Sequence, residues 1–236
     1  MGKFTSRSTQ KEIMDDLEVD GPELVQALSE LKTINKLLGG NKVTLSGINQ
    51  LIKKNPQEDY SIADLGCGRG DMLRVIADWA YQNEIPVALT GIDANPNIIA
   101  IAKEKLSDYK NINFRVENVF SDDFLKEPVD IITCTLFTHH FTDAELIQLF
   151  SSFKEKVRLG VVINDLHRHP LAYYSIRVLT KYFSRSSMVK NDGPLSVLRS
   201  FKKNDWSEIL NKAGFSDVEI TWKWAFRWKV LALKHR

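Results

Sequence analysis

The residues best placed for chemistry in this sequence are an acid and three glycines that follow a short apolar run. Asp64 lies near the end of the run, Gly66, Gly68 and Gly70 occupy alternate positions after it, and Asp71 opens a segment with helical apolar periodicity. Glycines suit a loop that must adopt positive φ and let a ligand approach the backbone. Such a loop presents its ligand to the free amides of a helix N-terminus. The stretch therefore predicts a strand, a ligand-binding loop and a helix.

The spacing of these residues indicates which ligand the loop binds. A dinucleotide fingerprint needs its third glycine where Asp71 stands, and the Asp64 carboxylate would repel a pyrophosphate but suit a cationic, zwitterionic ligand. The stretch Asp-Leu-Gly-Cys-Gly-Arg-Gly resembles the first motif of class I S-adenosylmethionine-dependent methyltransferases; the alternative is an ordinary strand-to-helix turn. The resemblance implies S-adenosyl-L-methionine as the cofactor, in contact with Asp64, Gly66, Cys67, Gly68 and Gly70.

The length and composition indicate how many domains the chain has and which kinds of partner it can bind. The chain has 236 residues, of which 43% are hydrophobic and 26% charged, with a net charge of +2. This favours a single domain over residues 1–236, with a helical N-terminal cap at 1–58 and a sheet core at 59–236 that carries an insertion at about 168–202. Because acids and bases are interspersed without a clustered basic face, we expect no nucleic-acid partner.

Cysteine use and hydropathy indicate the compartment. Cys67 and Cys134 lie inside predicted core elements, which argues against a disulfide scaffold and for a reducing cytoplasm. The N-terminus lacks the apolar segment of a signal peptide, and no apolar run approaches the ~18 residues that span a bilayer. We therefore expect a cytoplasmic protein without stable membrane insertion.

Strands and helices alternate through most of the chain, which predicts a doubly wound sheet. The expected class is α/β and Rossmann-like, with a mostly parallel seven-stranded sheet and an antiparallel last strand. The helices before the sheet either form an N-terminal lid over the ligands or pack against the sheet edge, and residues 1–10 are expected to be disordered or ordered only by a ligand. Residues 170–183 read as an inserted helix after the fifth strand, and 184–201 as a long loop. The other predicted strands are 86–93, 112–116, 129–136, 161–163 and two within 218–234, and the other predicted helices include 45–54, 96–106 and 205–213.

The ends of the second and third strands supply further cofactor residues, because ligands of open α/β sheets lie beyond the carboxyl ends of the strands. Asp93 stands 23 residues after Gly70, where an acid would accept hydrogen bonds from both ribose hydroxyls, with Ala94 near the adenine. Many proteins of the family have an acid where Asn118 falls; an amide oxygen can make the same bond to the adenine, but a turn-stabilising Asn is the alternative. Val119 and Thr135 complete the expected cofactor site.

Two histidines, His139 and His140, follow the fourth strand. Adjacent side chains tend to diverge and no further Cys/His cluster accompanies them, so we expect no metal site. The remaining interpretations are pocket lining, a general base, or a structural role.

The fifth strand ends in the most polar segment of the chain, Asn-Asp-Leu-His-Arg-His, at residues 164–169. Asp165 and His167 are two apart and would share a side of an extended chain, so the carboxylate could orient the imidazole as a base. The alternative is that Asp165 caps the inserted helix and the histidines are solvated. The candidate catalytic residues are His167, His140 and Asp165, in that order.

The second half of the chain supports a narrower resemblance, to bacterial methyltransferases associated with type III polyketide synthases. It rests on residues 164–168, 171–173, 192–197 and Arg199, and on an N-terminal segment like residues 12–16. The resemblance implies a small aromatic acceptor, phenolic or pyrone-like, that can carry an alkyl tail. Tyr173, Tyr174, Arg177 and Met188 are the residues expected to shape its pocket.

The predicted activity is methyl transfer from S-adenosyl-L-methionine to a phenolic oxygen of that acceptor. A phenol with a pKa near 10 is a poor nucleophile at neutral pH, so a base within hydrogen-bond reach would help. Carbon methylation of a quinol ring and a non-catalytic cofactor-binding module are the alternatives. RNA or protein methylation lacks both a basic groove and the expected motif after the fourth strand. Oligomeric state and the role of the Trp-rich tail stay open.

Overall fold

A seven-stranded sheet lies at the centre of the computed structural model, which describes residues 2–16 and 19–234. The strands pair in the order β3-β2-β1-β4-β5-β7-β6, and β7 is antiparallel to both of its neighbours whereas all other pairs are parallel. The predicted fold class is therefore confirmed. The strands are β1 Tyr60–Leu65, β2 Val87–Asp93, β3 Ile112–Val116, β4 Val129–Thr135, β5 Val157–Leu166, β6 Val218–Lys223 and β7 Arg227–Leu233.

Helices precede the sheet, connect its strands and form an insertion after β5. Side-chain caps begin two of them: Asn95 accepts hydrogen bonds from the amides of Asn97 and Ile98, and Thr142 forms a capping box with Glu145. The helices are α1 Pro22–Leu37, α2 Gly40–Lys54, α3 Asp71–Gln82, α4 Pro96–Lys105, α5 Asp143–Lys156, α6 Pro170–Phe183, α7 Ser187–Arg199 and α8 Lys203–Lys212. Two short 3-10 turns, Ile13–Asp15 and Thr138–His140, become important at the site.

Apolar side chains cover both faces of the sheet. One face packs on Phe150 and Phe153 of α5 and Trp206 of α8, and the other on Ile48 of α2 and Ile76 of α3. Parallel sheets require two covered faces, which leaves the carboxyl edge of the strands as the place for ligands. No helix among residues 2–16 and 19–234 is both long and apolar enough to cross a membrane.

The largest departure from the sequence-based expectation is the helix α7, which replaces the loop predicted at 184–201. Ser186 caps it by accepting from the amide of Val189, and Gly193 and Pro194 lie inside it. Both residues disfavour helix, but burial of one helix face outweighs their local preference. Smaller errors are the start of α2 at Gly40 rather than 45 and the start of β5 at Val157 rather than 161.

The expectation of disorder at the N-terminus is wrong for residues 2–10, because protein contacts hold this segment. Arg7 donates to the carbonyl oxygens of Arg199 and Phe141, each at 2.7 Å, and pairs with Asp143 at 2.5 Å. The Arg7 guanidinium also lies 4.1 Å from the centre of the Phe201 ring. The segment therefore runs over the carboxyl edge of the sheet and reaches the turn after β4.

Candidate active site

The glycine loop between β1 and α3 has the geometry that its sequence predicts. Gly66 and Gly68 adopt φ of +62° and +52°, in the left-handed region that other residues avoid. A Cβ on Gly66 would lie 2.2 Å from the Phe137 ring, whereas a Cβ on Gly68 would meet nothing within 4 Å. Gly66 is thus required for packing, and Gly68 lies beside open space through which a ligand can reach the backbone.

Asp93 fastens the glycine loop to the end of β2. Its Oδ2 accepts from the amide of Gly68 and its Oδ1 from the amide of Asn95, both at 3.0 Å. Burial raises the pKa of this carboxyl, although the amide hydrogen bonds oppose the shift. The side chain therefore lies where the sequence predicted it, at the carboxyl edge beside the loop.

Asp64 is the second carboxylate at this edge, and it is almost completely buried. Its Oδ1 accepts a hydrogen bond from the hydroxyl of Thr133 at 2.6 Å. Burial and the nearby charge of Asp93 raise its pKa to about 7, against the hydrogen bond from Thr133. Within the described residues neither Asp64 nor Asp93 has an ion-pair partner, so a ligand with positive charge would meet two uncompensated acids. S-adenosyl-L-methionine, with a sulfonium and an ammonium group, fits this requirement.

The remaining predicted cofactor residues lie at the same edge without a contact that assigns their role. Asn118 Oδ1 accepts from the amide of Phe120 at 3.0 Å, the turn-stabilising bond considered as its alternative role. Thr135 Oγ1 lies 2.8 Å from Thr44 Oγ1 and so connects β4 to α2. Cys67 is buried, and Ala94 and Val119 are half-buried. Their contacts with the cofactor stay predictions.

At the end of β5 the structure forms a different pair from the expected one. Asp165 Oδ1 lies 2.7 Å from His139 Nδ1, and Asp165 Oδ2 accepts from the Thr138 hydroxyl and the His139 amide. Burial opposes ionisation of Asp165, but the charge and hydrogen bond of His139 outweigh it and hold the pKa of Asp165 well below its ordinary value. The predicted pairing of Asp165 with His167 is therefore wrong, because the 3-10 turn after β4 occupies the carboxylate.

His167 lies among aromatic rings instead. Its ring centre is 4.9 Å from that of Trp228 and 5.3 Å from that of His169, and its Nδ1 is buried without a hydrogen-bond partner. Burial, together with the charges of His169 and Arg168, lowers its pKa to about 4. The imidazole is thus neutral at pH 7 but has no carboxylate to orient it.

His140 has the orienting carboxylate that His167 lacks. His140 Nδ1 lies 2.5 Å from Asp15 Oδ1, a partner 125 residues earlier in the chain. The other oxygen of Asp15 binds the Arg199 guanidinium, which also donates to the backbone carbonyls of His139 and His140. Burial opposes ionisation of Asp15, but its hydrogen bonds to His140 and Arg199 hold its pKa well below the ordinary value.

Nε2 of His140 is left for another partner, and the imidazole lies close enough to Asp93 for its charge to act on that carboxyl. A neutral imidazole whose Nδ1–H is held by a carboxylate is a suitable general base. The predicted catalytic candidate His140 thus lies in the turn after β4, at the carboxyl edge that also carries the predicted cofactor residues. Its partner Asp15 could have been suspected only from the family-like segment at residues 12–16.

Glu12 adds a buried acid to this cluster. Its Oε2 accepts from the Ser196 hydroxyl at 2.9 Å, whereas its Oε1 has no hydrogen-bond partner and lies 3.8 Å from His139 Nε2. Burial raises the pKa of Glu12 to about 7, although the charges of His140 and Arg199 oppose the shift. Sequence reasoning missed Glu12 as a site residue, although Glu12 begins the family-like segment at residues 12–16.

The expectation that the two adjacent histidines diverge is wrong. Their ring centres are 4.3 Å apart, because a 3-10 turn rather than an extended strand carries them. One ligand atom from each of Glu12, His139 and His140 lies within 4.8 Å of the others, a spacing that a cation could bridge with small movements. Arg199 already places positive charge 3.7 Å from the free Glu12 oxygen. This positive charge would disfavour a cation in the cluster.

The four predicted acceptor residues are dispersed. Tyr173 is buried against Phe4, with ring centres 5.6 Å apart, and Met188 is buried in the cluster that joins α7 to α1. Tyr174 and Arg177 are exposed on the outer side of α6. In this conformation the structure does not bring these four side chains together, and their contact with an acceptor stays a prediction.

Comparisons with known proteins bear on the family and the fold. Residues 62–160 match the family described as methyltransferase domain. The carboxy-S-adenosyl-L-methionine synthase of Campylobacter fetus is 23% identical over 197 residues, covering 75% of this chain and 79% of that protein. The structure of the plantazolicin methyltransferase BpumL in complex with S-adenosylhomocysteine has a TM-score of 0.69 at 17% identity and covers 92% of both chains.

A domain of a polyketide synthase has a similar fold. The CMeT domain of the citrinin polyketide synthase has a TM-score of 0.60 at 19% identity, over 79% of this chain and 50% of that one. The present chain thus spans about half of the length of that solved chain. Residues 62–160 therefore match a methyltransferase domain, and the chain has the fold of these solved methyltransferases.

Proposed function

We propose that the chain transfers a methyl group from S-adenosyl-L-methionine to a hydroxyl of a small aromatic acceptor. The acceptor class is phenolic or polyketide-derived, such as an alkylresorcinol or a pyrone, including molecules with an alkyl tail. The observation that carries the proposal is the His140–Asp15 pair, 2.5 Å apart, in the turn after β4 at the carboxyl edge of the sheet. A base so placed serves a hydroxyl nucleophile, which must lose a proton as it is methylated.

The residues of the chain divide the work between binding and proton transfer. When bound, S-adenosyl-L-methionine supplies an electrophilic methyl group on its sulfonium. Asp64 and Asp93 would hold the cofactor with the loop at Gly68. His140 Nε2 accepts the proton of the acceptor hydroxyl as the oxygen–methyl bond forms, and Asp15 stabilises the resulting imidazolium. A base in this position typically contributes a rate factor of about 10²–10⁴.

Arg199 and the N-terminal segment position this base. The guanidinium contacts Asp15 and the carbonyls of both histidines, so it fixes the turn after β4 against the turn at residues 13–15. Glu12 and Asp192 anchor that second turn to α7, since Asp192 accepts from the amides of Ile13 and Met14 at 2.9 and 3.1 Å. The N-terminal segment is thus held both to α7 and to the turn that carries His140.

The experiment is transfer of labelled methyl from S-adenosyl-L-methionine to a panel of acceptors. We expect label on alkylresorcinols or alkylpyrones, and fragmentation of the product should locate the methyl on oxygen. Label on hydroquinones alone, or on ring carbon, would contradict the proposal in favour of quinol C-methylation. Label on total RNA alone, or no transfer while S-adenosylhomocysteine still binds, would also contradict it.

A second candidate is synthesis of carboxy-S-adenosyl-L-methionine. The observation that favours it is the similarity to proteins of that name over three quarters of this chain. Mass spectrometry of the cofactor after incubation with cell extract separates the two candidates. A cofactor that gains one carboxyl group, with no methylated acceptor, would support this second activity.

The location we propose is a reducing compartment such as the cytoplasm. Cys67 and Cys134 are both free and both buried. Burial raises the pKa of each thiol well above its ordinary value, which leaves them as packing residues rather than nucleophiles.

A further inference from the structure

The outer face of α6 carries an apolar stripe that no other element within residues 2–16 and 19–234 covers. Leu171, Tyr174, Val178 and Tyr182 are 61%, 53%, 55% and 71% exposed. Their spacing of three, four and four residues places them on one side of the helix. Large apolar side chains exposed singly are ordinary, but a contiguous stripe of this kind marks an interaction surface.

The charged residues of α6 itself are all basic, and the nearest acid at its end, Glu30, accepts hydrogen bonds from Ser184 and the Arg185 amide. Residues 170–183 contain no acid, and Arg177 and Lys181 are both exposed. Lys181 Nζ lies 5.6 Å from the centre of the Tyr182 ring, so the charge borders the stripe directly. Phe183 and Arg185, also exposed, extend the same composition past the end of the helix.

The turn between β6 and β7 extends the surface at the other end of α6. Trp224 is 70% exposed there, and Trp222 is exposed nearby. Phe226 joins this turn to the start of the helix, because its ring stacks on that of His169 with centres 5.3 Å apart. Aromatic rings, aliphatic side chains and basic groups therefore form one surface, which we call the α6 surface: Leu171, Tyr174, Arg177, Val178, Lys181, Tyr182, Phe183, Trp222 and Trp224.

We propose that the α6 surface docks on an anionic lipid bilayer. Tyrosine and tryptophan prefer the headgroup level, the aliphatic stripe enters the boundary of the acyl chains, and basic side chains beside the stripe bind anionic headgroups. A second copy is the poorer occupant, because a two-fold contact would oppose Arg177 and Lys181 with equal charges. The helix would lie in the plane of the interface rather than cross it.

This surface connects to the candidate active site through α7. The inner face of α6 packs on α7, where a Cβ on Gly193 would lie 3.4 Å from Ile176. Helix α7 ends at Arg199, which belongs to the His140 cluster, that is, Glu12, Asp15, His139, His140 and Arg199. An acceptor with an alkyl tail, dissolved in the same bilayer, would thus lie near α7 and the N-terminal segment that it holds. This last step rests on the proposed function. The docking itself does not.

The test is flotation of the full-length chain with vesicles of phosphatidylcholine and phosphatidylglycerol, without any acceptor. We expect binding that falls with added salt and is weaker on phosphatidylcholine alone. The double substitution Val178→Glu with Tyr182→Glu should abolish it, whereas Tyr81→Glu, at an 86% exposed tyrosine on α3, should leave it unchanged. Arg177→Gln with Lys181→Gln should weaken binding about thirty-fold, from roughly a fivefold loss per basic residue.

Other outcomes would overturn the proposal. Absence of wild-type flotation at low salt, or equal loss in the Tyr81→Glu variant, would show that the α6 surface does not recognise lipid. A wild-type dimer that Val178→Glu with Tyr182→Glu converts to a folded monomer, without vesicle binding in either form, would assign the surface to a second copy. Circular dichroism confirms folding of each variant.

Turnover separates failure of docking from failure of the proposed function. The Val178→Glu, Tyr182→Glu variant should methylate a short-chain soluble acceptor at the wild-type rate and lose activity only on a long-chain acceptor in vesicles. Vesicle binding without methylation of any aromatic hydroxyl would keep the docking and refute the function. Methylation without vesicle binding would do the reverse.

Discussion

The cofactor loop and the His140 cluster lie at the same edge of the sheet, but the chain builds them in different ways. Asp64, the glycines and Asp93 belong to one strand–helix–strand unit, and the bond from Gly68 to Asp93 spans only 25 residues. In the cluster, Asp15 and His140 are 125 residues apart, and Glu12 and Ser196 are 184 apart. The first region can be predicted from a short stretch of sequence, whereas the second forms only after the sheet and its insertion have folded.

The strongest test of this contrast is a pair of histidine substitutions. Because Asp15 orients His140 whereas no carboxylate among the described residues orients His167, His140→Ala should lower kcat by about 10²–10³ without changing cofactor affinity. His167→Ala should stay within about twofold, since its imidazole packs on Trp228 and faces no acid. Methyl transfer and cofactor binding are measured on both variants.

The reverse result would return the catalytic role to the end of β5. An unchanged rate for His167→Ala refutes the ranking that the sequence alone suggests, in which His167 comes first. An unchanged rate for His140→Ala would instead leave the Asp15 pair without a catalytic role.

The second test probes the cofactor region. Asp64→Asn removes one of the two uncompensated acids while its amide oxygen can still accept from Thr133, so the affinity for S-adenosyl-L-methionine should fall about 100-fold. Asp78→Asn, at an exposed acid on α3, should change the affinity less than twofold. Calorimetry on both variants gives the comparison, and equal effects would show that the buried acid has no special role in binding.

The third test uses the fact that each region contains one buried carboxyl whose pKa burial raises to about 7, Asp64 in one and Glu12 in the other. Between about pH 4 and 7 the unfolded chain ionises these groups while the folded chain keeps them protonated, so the free energy of unfolding falls as pH rises. Asp64→Asn and Glu12→Gln should each remove about 2 kcal/mol of that fall. Urea unfolding at pH 5 and 7.5 measures it.

Bound cofactor should change the pH dependence that comes from Asp64 but not the pH dependence that comes from Glu12. A bound cation favours ionised Asp64, so saturating S-adenosyl-L-methionine should remove the Asp64 share of the pH dependence and leave the Glu12 share. An identical response of both variants to the cofactor would place Glu12 within the cofactor site. Unfolding with the same pH dependence in wild type and both variants would contradict the raised pKa values.

The same contrast explains which features of the fold and the site could be predicted from the sequence. Sheet order, the loop at Gly68 and the position of Asp93 follow from local periodicity and from the rule that ligands lie at strand ends. The pairing of Asp165 failed because two-residue alternation says nothing about which turn comes to lie over the strand end. Glu12 and Asp15 carry no signal that tells an interior acid from a surface acid, and α7 was missed because Gly193 and Pro194 are typical of loops.

The smallest effect tests that helix. Gly193 lies within α7 with ordinary backbone angles, and a Cβ there would make normal contacts at 3.4 Å with Ile176 and Thr180. Gly193→Ala should therefore raise the free energy of unfolding by about 0.5–1 kcal/mol, because alanine loses less backbone entropy in a helix. Gly21→Ala is the matched control: nothing lies within 4 Å, but its φ of +88° should make the substitution destabilising by about 1 kcal/mol.

Opposite signs are expected because the backbone angles at 193 suit alanine whereas the positive φ at 21 does not. A loop at 187–199 with positive φ at 193 would instead make Gly193→Ala destabilising. Since α7 holds Arg199 and Asp192 against the N-terminal turn, that result would also remove the scaffold of the His140 cluster. The cofactor loop would be unaffected, because none of its hydrogen bonds involves α7.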